Sequence, residues 1–126
     1  MIRSVVVPRM VASGEELNRV KALMKELGFR EGEGWSDQWG RGVPMLTGLG
    51  VLEFYHGQPP AAAEVIVEVD DVPRTLELVK KHRMKVLADV SRTRWGADLF
   101  VAQIGGCHVA FFAWAEAKEE LLPKAA

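Results

Sequence analysis

The chain has 126 residues, enough for one domain or two small modules with a hydrophobic core. Its 16 basic and 17 acidic residues give a formal net charge of −1, which provides no electrostatic drive toward nucleic acid or an anionic membrane surface. A lone cysteine excludes an internal disulfide framework and no apolar run approaches the roughly 20 residues of a membrane span, so we expect a cytoplasmic protein with neither kind of partner.

The chain opens with a predicted strand and a predicted helix. Residues 3–11 are rich in β-branched side chains and predict a strand; since Pro8 lacks a backbone donor, we expect a sheet edge or a bulge there. Ser13 and Glu16 have capping-box spacing, and Gly28 is a typical helix stop. The apolar positions between them recur at helical intervals: Leu17, Val20, Leu23, Met24 and Leu27.

A glycine-rich stretch, residues 29–57, follows and shows no helical period. We expect short strands separated by turns, at residues 30–39, 44–47 and 49–55. The glycines lack the spacing of a phosphate-binding loop and do not connect a strand to a helix, so tight turns and bulges explain them better. Residues 58–63, which contain two prolines and three alanines, predict a linker.

The second half begins with a predicted strand that runs directly into a helix. Three valines alternate with two glutamates and an isoleucine: Val65, Val67 and Val69 against Glu64, Ile66 and Glu68. A period of two gives a strand two unlike faces. Burying each valine is worth roughly 1.5–3 kcal/mol, so the valine face should turn to the core. We expect the other face, with its carboxylates, to line a cavity.

Asp70 or Asp71 then caps a helix that has Pro73 near its first turn, where proline is tolerated, and that runs to about Arg83. The remaining predicted elements are strands at 85–90, 97–104 and 108–114, a turn at Gly105-Gly106 and a charged tail at 116–124 that is compatible with a short helix.

Both halves therefore show the same order of one strand, one helix and three strands. We divide the chain into module one (1–57), a linker (58–63), module two (64–114) and a tail (115–126). Because a single such module leaves one sheet face open, we predict an α+β fold in which two βαβββ modules form a curved mixed sheet around a cleft, with the helices outside.

Short motifs of the second half support a resemblance. They are residues 64–72 with Val69-Asp70-Asp71-Val72 at the end, Arg94-Trp95-Gly96, Leu99-Phe100-Val101, and residues 105–112 with the sequence Gly-Gly-Cys-His-Val-Ala-Phe-Phe. In order and spacing they resemble the vicinal oxygen chelate superfamily, which includes glyoxalase I, ring-cleaving (extradiol) dioxygenases and the bleomycin- and fosfomycin-resistance proteins. The first half matches in element order and in the helix-ending Leu27-Gly28-Phe29. The resemblance implies a glyoxalase-like fold and a homodimer.

Metal enzymes of that superfamily place ligands on the first and last strand of each module. The resemblance puts these positions at Glu53, Glu64, Ala110 and, depending on register, Ser4, Val6 or Pro8. Alanine cannot coordinate a metal and none of the first-strand candidates is a good ligand, so two of four ligands are missing. Two carboxylates alone hold a divalent ion weakly. We therefore expect no cofactor; the alternative is a divalent metal held by Glu53, Glu64 and His108.

Glu53 and His108 are the candidate catalytic residues, the first as a base and the second as a proton-transfer group. The candidate ligand-binding residues are Glu64, Glu68, Tyr55, Trp35, Trp39 and Phe112. Structural alternatives stay open for each kind of residue: a solvated glutamate on an open strand, a histidine bonded to the backbone, or tryptophans that pack in the core or at a subunit interface.

The missing ligands and the tryptophans favour a protein that binds a small organic molecule, as the resistance proteins of the superfamily do without metal. The alternative function is that of a metal-dependent lyase, isomerase or dioxygenase that acts on a molecule with adjacent oxygens. A third and less favoured class is an interaction module whose cleft is filled.

Overall fold

A computed structural model describes residues 2–48 and 50–116. The predicted tail at 116–124 lies, apart from Glu116, outside the described residues. The elements in chain order are β1 (Ile2–Met10), α1 (Gly14–Glu26), β2 (Arg30–Glu31), β3 (Trp35–Asp37), β4 (Gly40–Thr47), β5 (Gly50–Gly57), β6 (Val65–Val69), α2 (Val72–Lys81), β7 (Lys85–Arg92), β8 (Ala97–Ile104) and β9 (Cys107–Trp114). Neither described helix has the length and apolarity that a membrane span requires.

The chain divides into two compact units. We call residues 6–60 the first unit, and residues 2–5 together with 61–116 the second unit. The division falls inside β1, whose first residues belong to the second unit and whose remaining residues belong to the first. Each unit contains one helix and a set of mixed parallel and antiparallel strands, as the α+β prediction requires.

The first unit has the strand order β2-β4-β5-β1, with β3 paired to β4. β1 runs parallel to β5, and the other pairs are antiparallel. The single strand predicted at residues 30–39 is wrong, because Gly32 and Gly34 lie between two short strands, β2 and β3. The unit therefore has one strand more than the predicted module.

Pro8 pairs with β5 without a register shift, so the bulge that proline predicts is absent from this pairing. The N–H of Val11 donates to the carbonyl of Tyr55 at 2.8 Å. Since successive N–H groups of a strand point to opposite sides, the nitrogen of Pro8 points away from β5. The missing donor therefore costs this ladder no hydrogen bond.

Helix α1 begins and ends as the sequence predicts. The hydroxyl of Ser13 accepts from the N–H of Glu16 at 3.1 Å, and Gly28 follows the helix with φ +103°, a conformation that favours glycine. Leu17 is fully buried and packs with the apolar positions Val11, Val43, Met45, Val20 and Met24.

Two predicted apolar positions of α1 lie outside this core. Leu23 and Leu27 are 52% and 64% exposed. At about 100° per residue, Leu23 lies about 120° around the helix axis from Leu17, and Leu27 about 80° from it. The apolar face of the helix is therefore narrower than the spacing alone predicts.

The second unit has the order β6-β9-β8-β7, with β6 parallel to β9. Val67 and Val69 are buried against α2 residues such as Val72 and against Phe100, which confirms the predicted core face of β6. The carboxylate of Asp71 accepts from the N–H of Arg74 at 3.0 Å and so caps α2, as predicted. The order strand, helix and three strands is found here in full.

Candidate functional site

Strand alternation in the first unit separates a helix-facing side from an opposite side. Val43, Met45 and Phe54 pack with α1, so their neighbours in sequence point the other way. We call this opposite side the Glu53 face. In register, its members are Val6, Pro8 and Met10 of β1, Val51, Glu53 and Tyr55 of β5, and Gly42, Pro44 and Leu46 of β4.

Glu53 lies in the middle of this face with a proline on each side. Pro8 on β1 and Pro44 on β4 are its direct cross-strand partners, and both are buried. Neither ring offers a polar group to the carboxylate, so the two strands that flank Glu53 give it apolar walls. Cross-strand neighbours at this spacing lie within contact distance.

One hydrogen bond serves the carboxylate. The indole Nε1–H of Trp35 donates to Oε2 of Glu53 over 2.6 Å, a short distance typical of a bond to a charged acceptor. Burial raises the pKa of Glu53 above its ordinary value of 4.5, while the Trp35 hydrogen bond acts in the opposite direction and is the smaller of the two effects. Glu53 is thus an acid whose charge is only partly compensated by this unit.

Trp35 reaches Glu53 because its cross-strand partner is glycine. Trp35 pairs with Gly42 in the β3–β4 ladder, and a Cβ atom built on Gly42 would collide with three atoms of the indole ring, Nε1, Cε2 and Cζ2. The ring therefore lies directly over the backbone of Gly42. Any side chain there would displace the donor from the carboxylate.

The other two predicted binding residues of this unit differ in placement. Tyr55 is half-buried and shares the Glu53 face, where it follows Glu53 by one strand period. Trp39 is 41% exposed and lies in the turn between β3 and β4. The carboxylate of Asp37 holds that turn by accepting from the N–H of Trp39 at 2.8 Å and of Gly40 at 3.1 Å.

In the second unit, Glu68 and Phe112 are direct neighbours across β6 and β9. The side chain of Glu68 is 12% exposed; it accepts a 3.1 Å hydrogen bond from the Ser4 hydroxyl and has Arg3 Nε at 4.0 Å. Phe112 is buried and meets Trp95 edge to face, at 5.1 Å between ring centroids. Glu68 therefore lies beside an aromatic cluster, with its charge already partnered.

The aromatic cluster has a third member that the sequence does not single out. Trp114 meets Trp95 at 5.2 Å and Phe112 at 5.6 Å, both edge to face. Trp114 follows Phe112 by two residues on β9, and Trp95 precedes β8. The alternation of Phe112 and Trp114 along β9 is visible in the sequence. The contact of Trp95 with these two rings depends on the loop before β8.

Glu64 and His108 are hydrogen-bonded in the second unit, and the bonds involve the backbone of the histidine rather than its side chain. Oε1 of Glu64 accepts from the main-chain N–H of His108 at 2.9 Å, and the N–H of Glu64 donates to the His108 carbonyl at 2.9 Å. Both residues are exposed. This pair closes the end of the β6–β9 ladder, and a direct role for either side chain in chemistry stays a prediction.

The donor set does not fit the metal site of the resembled enzymes. Of the four positions that the resemblance implies, Ala110 carries no metal-binding side-chain atom, and neither does Pro8, the first-strand candidate that pairs with Glu53. Glu64, the second-module first-strand position, is exposed, and its carboxylate accepts from the backbone N–H of His108. Across residues 2–48 and 50–116, no group of three or more His, Cys, Asp or Glu side chains is arranged to hold a metal ion. We therefore derive no chemistry through a metal.

Comparison with solved structures identifies the fold. The chain is similar to a hypothetical protein from Bacillus halodurans (TM-score 0.69, 12% identity, 94% of this chain and 99% of that one). It is also similar to the methylmalonyl-CoA epimerase of Mycobacterium tuberculosis (TM-score 0.65, 10% identity, 91% and 90%). A third is the Streptomyces coelicolor enzyme of that name, solved as a variant in complex with 2-nitronate-propionyl-CoA (TM-score 0.56, 11% identity, 91% and 97%).

These identities are low, so the likeness shows the fold alone. It covers both halves of the chain, including the first half, where the sequence motifs are sparse. The predicted α+β fold of the glyoxalase type is confirmed. Searches with family models and against curated proteins found no match.

Proposed function

We propose that this protein is a member of the vicinal oxygen chelate superfamily that binds a small organic molecule on the Glu53 face without a bound metal. The proposal rests mainly on one arrangement: a half-buried carboxylate between Pro8 and Pro44 that has one hydrogen-bond donor, Trp35. Binding sites for small molecules are typically apolar surfaces with a few fixed polar groups. The Glu53 face has this composition.

Burial of the Glu53 carboxylate carries a cost in the free energy of folding. A carboxylate removed from water without full compensation destabilises the fold, and the raised pKa of Glu53 is the sign of that cost. An apolar residue between two prolines would avoid it. A ligand that completes the hydrogen bonding of the carboxylate would recover part of this cost. Ligand binding would therefore explain why a glutamate occupies this position.

Trp35 supplies a built-in reporter for the experiment. We would screen a panel of small aromatic and aliphatic compounds by the shift in melting temperature and by tryptophan fluorescence. A ligand present at about 100 times its Kd stabilises the folded state by about 2.7 kcal/mol, which a thermal melt detects readily. The expected result is stabilisation by at least one compound class in the wild type, with weaker or no stabilisation in Glu53→Gln.

The matched control is Glu33→Gln, which makes the same chemical change at an exposed position of the same unit. It should bind like the wild type. If no compound class stabilises the wild type, or if Glu53→Gln binds every hit as well as the wild type does, then the Glu53 face is not the binding site and the proposal fails.

A second candidate function is metal-free proton transfer, with Glu53 as the base. It is favoured by the raised pKa, since a base acts best when its pKa approaches the working pH. Two of the similar solved structures are named as epimerases, which is compatible with this chemistry on the same fold. Exchange of a ligand proton for deuterium in D2O, lost in Glu53→Gln, would support this function over binding alone.

A further inference from the structure

The Glu53 face is unusual in its charge. Of the residues that β1, β4 and β5 place on this face, Glu53 is the only acidic or basic one; Tyr55 is the only other titratable group. The remaining positions are aliphatic, proline or glycine. From these three strands, an incoming ligand therefore meets one carboxyl group and no basic group.

β3, the strand that carries Trp35, adds no positive charge to this face. β3 ends at Asp37, whose carboxylate accepts from the N–H groups of Trp39 and Gly40. This is a second negative charge, and it is held by backbone donors. Arg9 of β1 and Arg41 of β4 are at alternate positions, on the side that faces α1. Among the strands of this unit, the basic residue that shares the Glu53 face is Arg30 of the edge strand β2; it is exposed and pairs with Leu46, two residues along β4 from Pro44.

One oxygen of Glu53 is available to a ligand. Trp35 occupies Oε2, and no other hydrogen bond to this carboxylate is present within the described residues. In the described part of the chain, no buried side-chain oxygen or nitrogen lacks a partner, so Oε1 reaches solvent. A ligand can approach Oε1 while the indole holds the rest of the carboxylate in place.

We infer that the ligand of the Glu53 face carries a positively charged nitrogen, as a protonated amine or an amidine, on an apolar body, with that nitrogen donating to Oε1 of Glu53. This inference rests on the proposed function and narrows it to one chemical class. A cation supplies the charge that the direct neighbours of Glu53 leave uncompensated, whereas a carboxylate or a phosphate ester beside Glu53 would meet like charge, since Pro8, Pro44 and Trp35 provide no basic group there. The rings of Trp35 and Tyr55 add surfaces that attract cations.

The same reasoning separates this protein from two of its structural neighbours. Acyl-CoA esters carry several phosphate charges, and methylmalonyl-CoA carries a carboxylate as well. A half-buried carboxylate whose direct neighbours provide no basic group disfavours such a molecule near Glu53. The fold is shared with the epimerases, but the ligand class differs under this inference.

The test uses three probes of nearly one shape: benzylamine, benzyl alcohol and benzoate, which are cationic, neutral and anionic at pH 8. Binding is followed by the 1H–15N signal of the Trp35 indole, assigned by its loss in Trp35→Phe. We expect benzylamine to shift this signal with a Kd at least tenfold lower than that of benzyl alcohol, and benzoate not to shift it. In Glu53→Gln the preference for benzylamine should disappear, and in Glu33→Gln it should remain.

The pH dependence adds a second measurement. Benzylamine affinity should fall as the pH drops through the raised pKa of Glu53, because the protonated carboxyl no longer attracts the cation, while benzyl alcohol affinity should change little. Equal affinities for amine and alcohol, or tighter binding of benzoate, would overturn the inference and leave the binding proposal standing. If none of the probes shifts the signal in wild type, this inference fails, and the panel screen decides the binding proposal separately. A native 1H–15N spectrum of Glu53→Gln confirms that this variant is folded.

Discussion

Glu53→Gln offers a direct measurement of the free energy that the half-buried carboxylate costs the fold. The amide keeps an oxygen that can accept from the Trp35 indole, and the position of Oε1, which reaches solvent, can take the amide nitrogen. The substitution therefore removes the charge and leaves the shape. Because the folded-state pKa of Glu53 is raised above 4.5, the folded protein binds the proton more tightly than the unfolded chain does.

The sign of the effect follows from this difference. Well below pH 4.5 the carboxyl is protonated in both states, and wild type and Glu53→Gln should have similar free energies of unfolding. As the pH rises through the folded-state pKa, the wild type loses stability relative to the variant. The loss is about 1.4 kcal/mol for each unit by which the two pKa values differ, and it is constant at higher pH.

The assay is urea denaturation at several pH values between 4 and 8, followed by far-ultraviolet circular dichroism. The quantity of interest is the difference between variant and wild type, in which the contributions of other titrating groups largely cancel. Glu33→Gln, at an exposed position, should show a difference close to zero at every pH. A Glu53→Gln difference that does not change with pH, or that favours the wild type at pH 8, would refute the burial argument.

Two further variants test how the carboxylate is held. Trp35→Phe removes the indole donor to Glu53 and should destabilise the protein by about 1–3 kcal/mol at pH 8. The control, Trp39→Phe, changes a more exposed ring and should alter stability by less. Denaturant unfolding compares the two variants, and equal losses of stability would contradict the assigned role of Trp35. Gly42→Ala forces a methyl group against the indole, so it should lower the free energy of unfolding by about 1–3 kcal/mol and shift the tryptophan emission. In the control, Gly48→Ala, the added methyl group meets nothing within 4 Å, and neither quantity should change. Unchanged emission in Gly42→Ala would show that the ring does not lie over this glycine.

The elements with local signals were predicted well from the sequence. Asp71 caps α2, and β8 has the predicted bounds, Ala97–Ile104. A cap depends on residues within one turn, and a strand between two turns depends on its own alternation, so both kinds of information lie within a few positions of each other. The same holds for Gly28 at the end of α1.

The environment of Glu53 could not be predicted in this way. Its neighbours Pro8 and Pro44 come from different segments of the chain, and they flank Glu53 only because β1 and β4 pair with β5 in one particular register. A shift of one residue in either pairing would have replaced a proline by a neighbour that points to the other side. The sequence identified Glu53 and Trp35 as candidates, but not the bond between them.

The two units allow an internal comparison that bears on why Glu53 is present. In each unit the first strand runs parallel to the last one, and Glu53 beside Pro8 corresponds in this pairing to Ala110 beside Ile66. Ala110 is fully buried and costs the second unit nothing in desolvation. The fold therefore accepts an apolar residue at this position of the sheet.

A carboxylate at the matching position is not required by the architecture, and burial makes it unfavourable. The first unit nevertheless provides a donor for it, and the donor depends on a glycine beneath the indole ring. Glu53, Trp35 and Gly42 come from three strands, and together they lower the cost of one unfavourable group. Such an arrangement is expected where that group has a function, since an alanine or a valine at this position would be better for stability alone. Glu53→Ala should then be more stable than wild type at pH 8 and unable to bind the ligand, and a variant that lost stability while keeping binding would show the reasoning to be wrong.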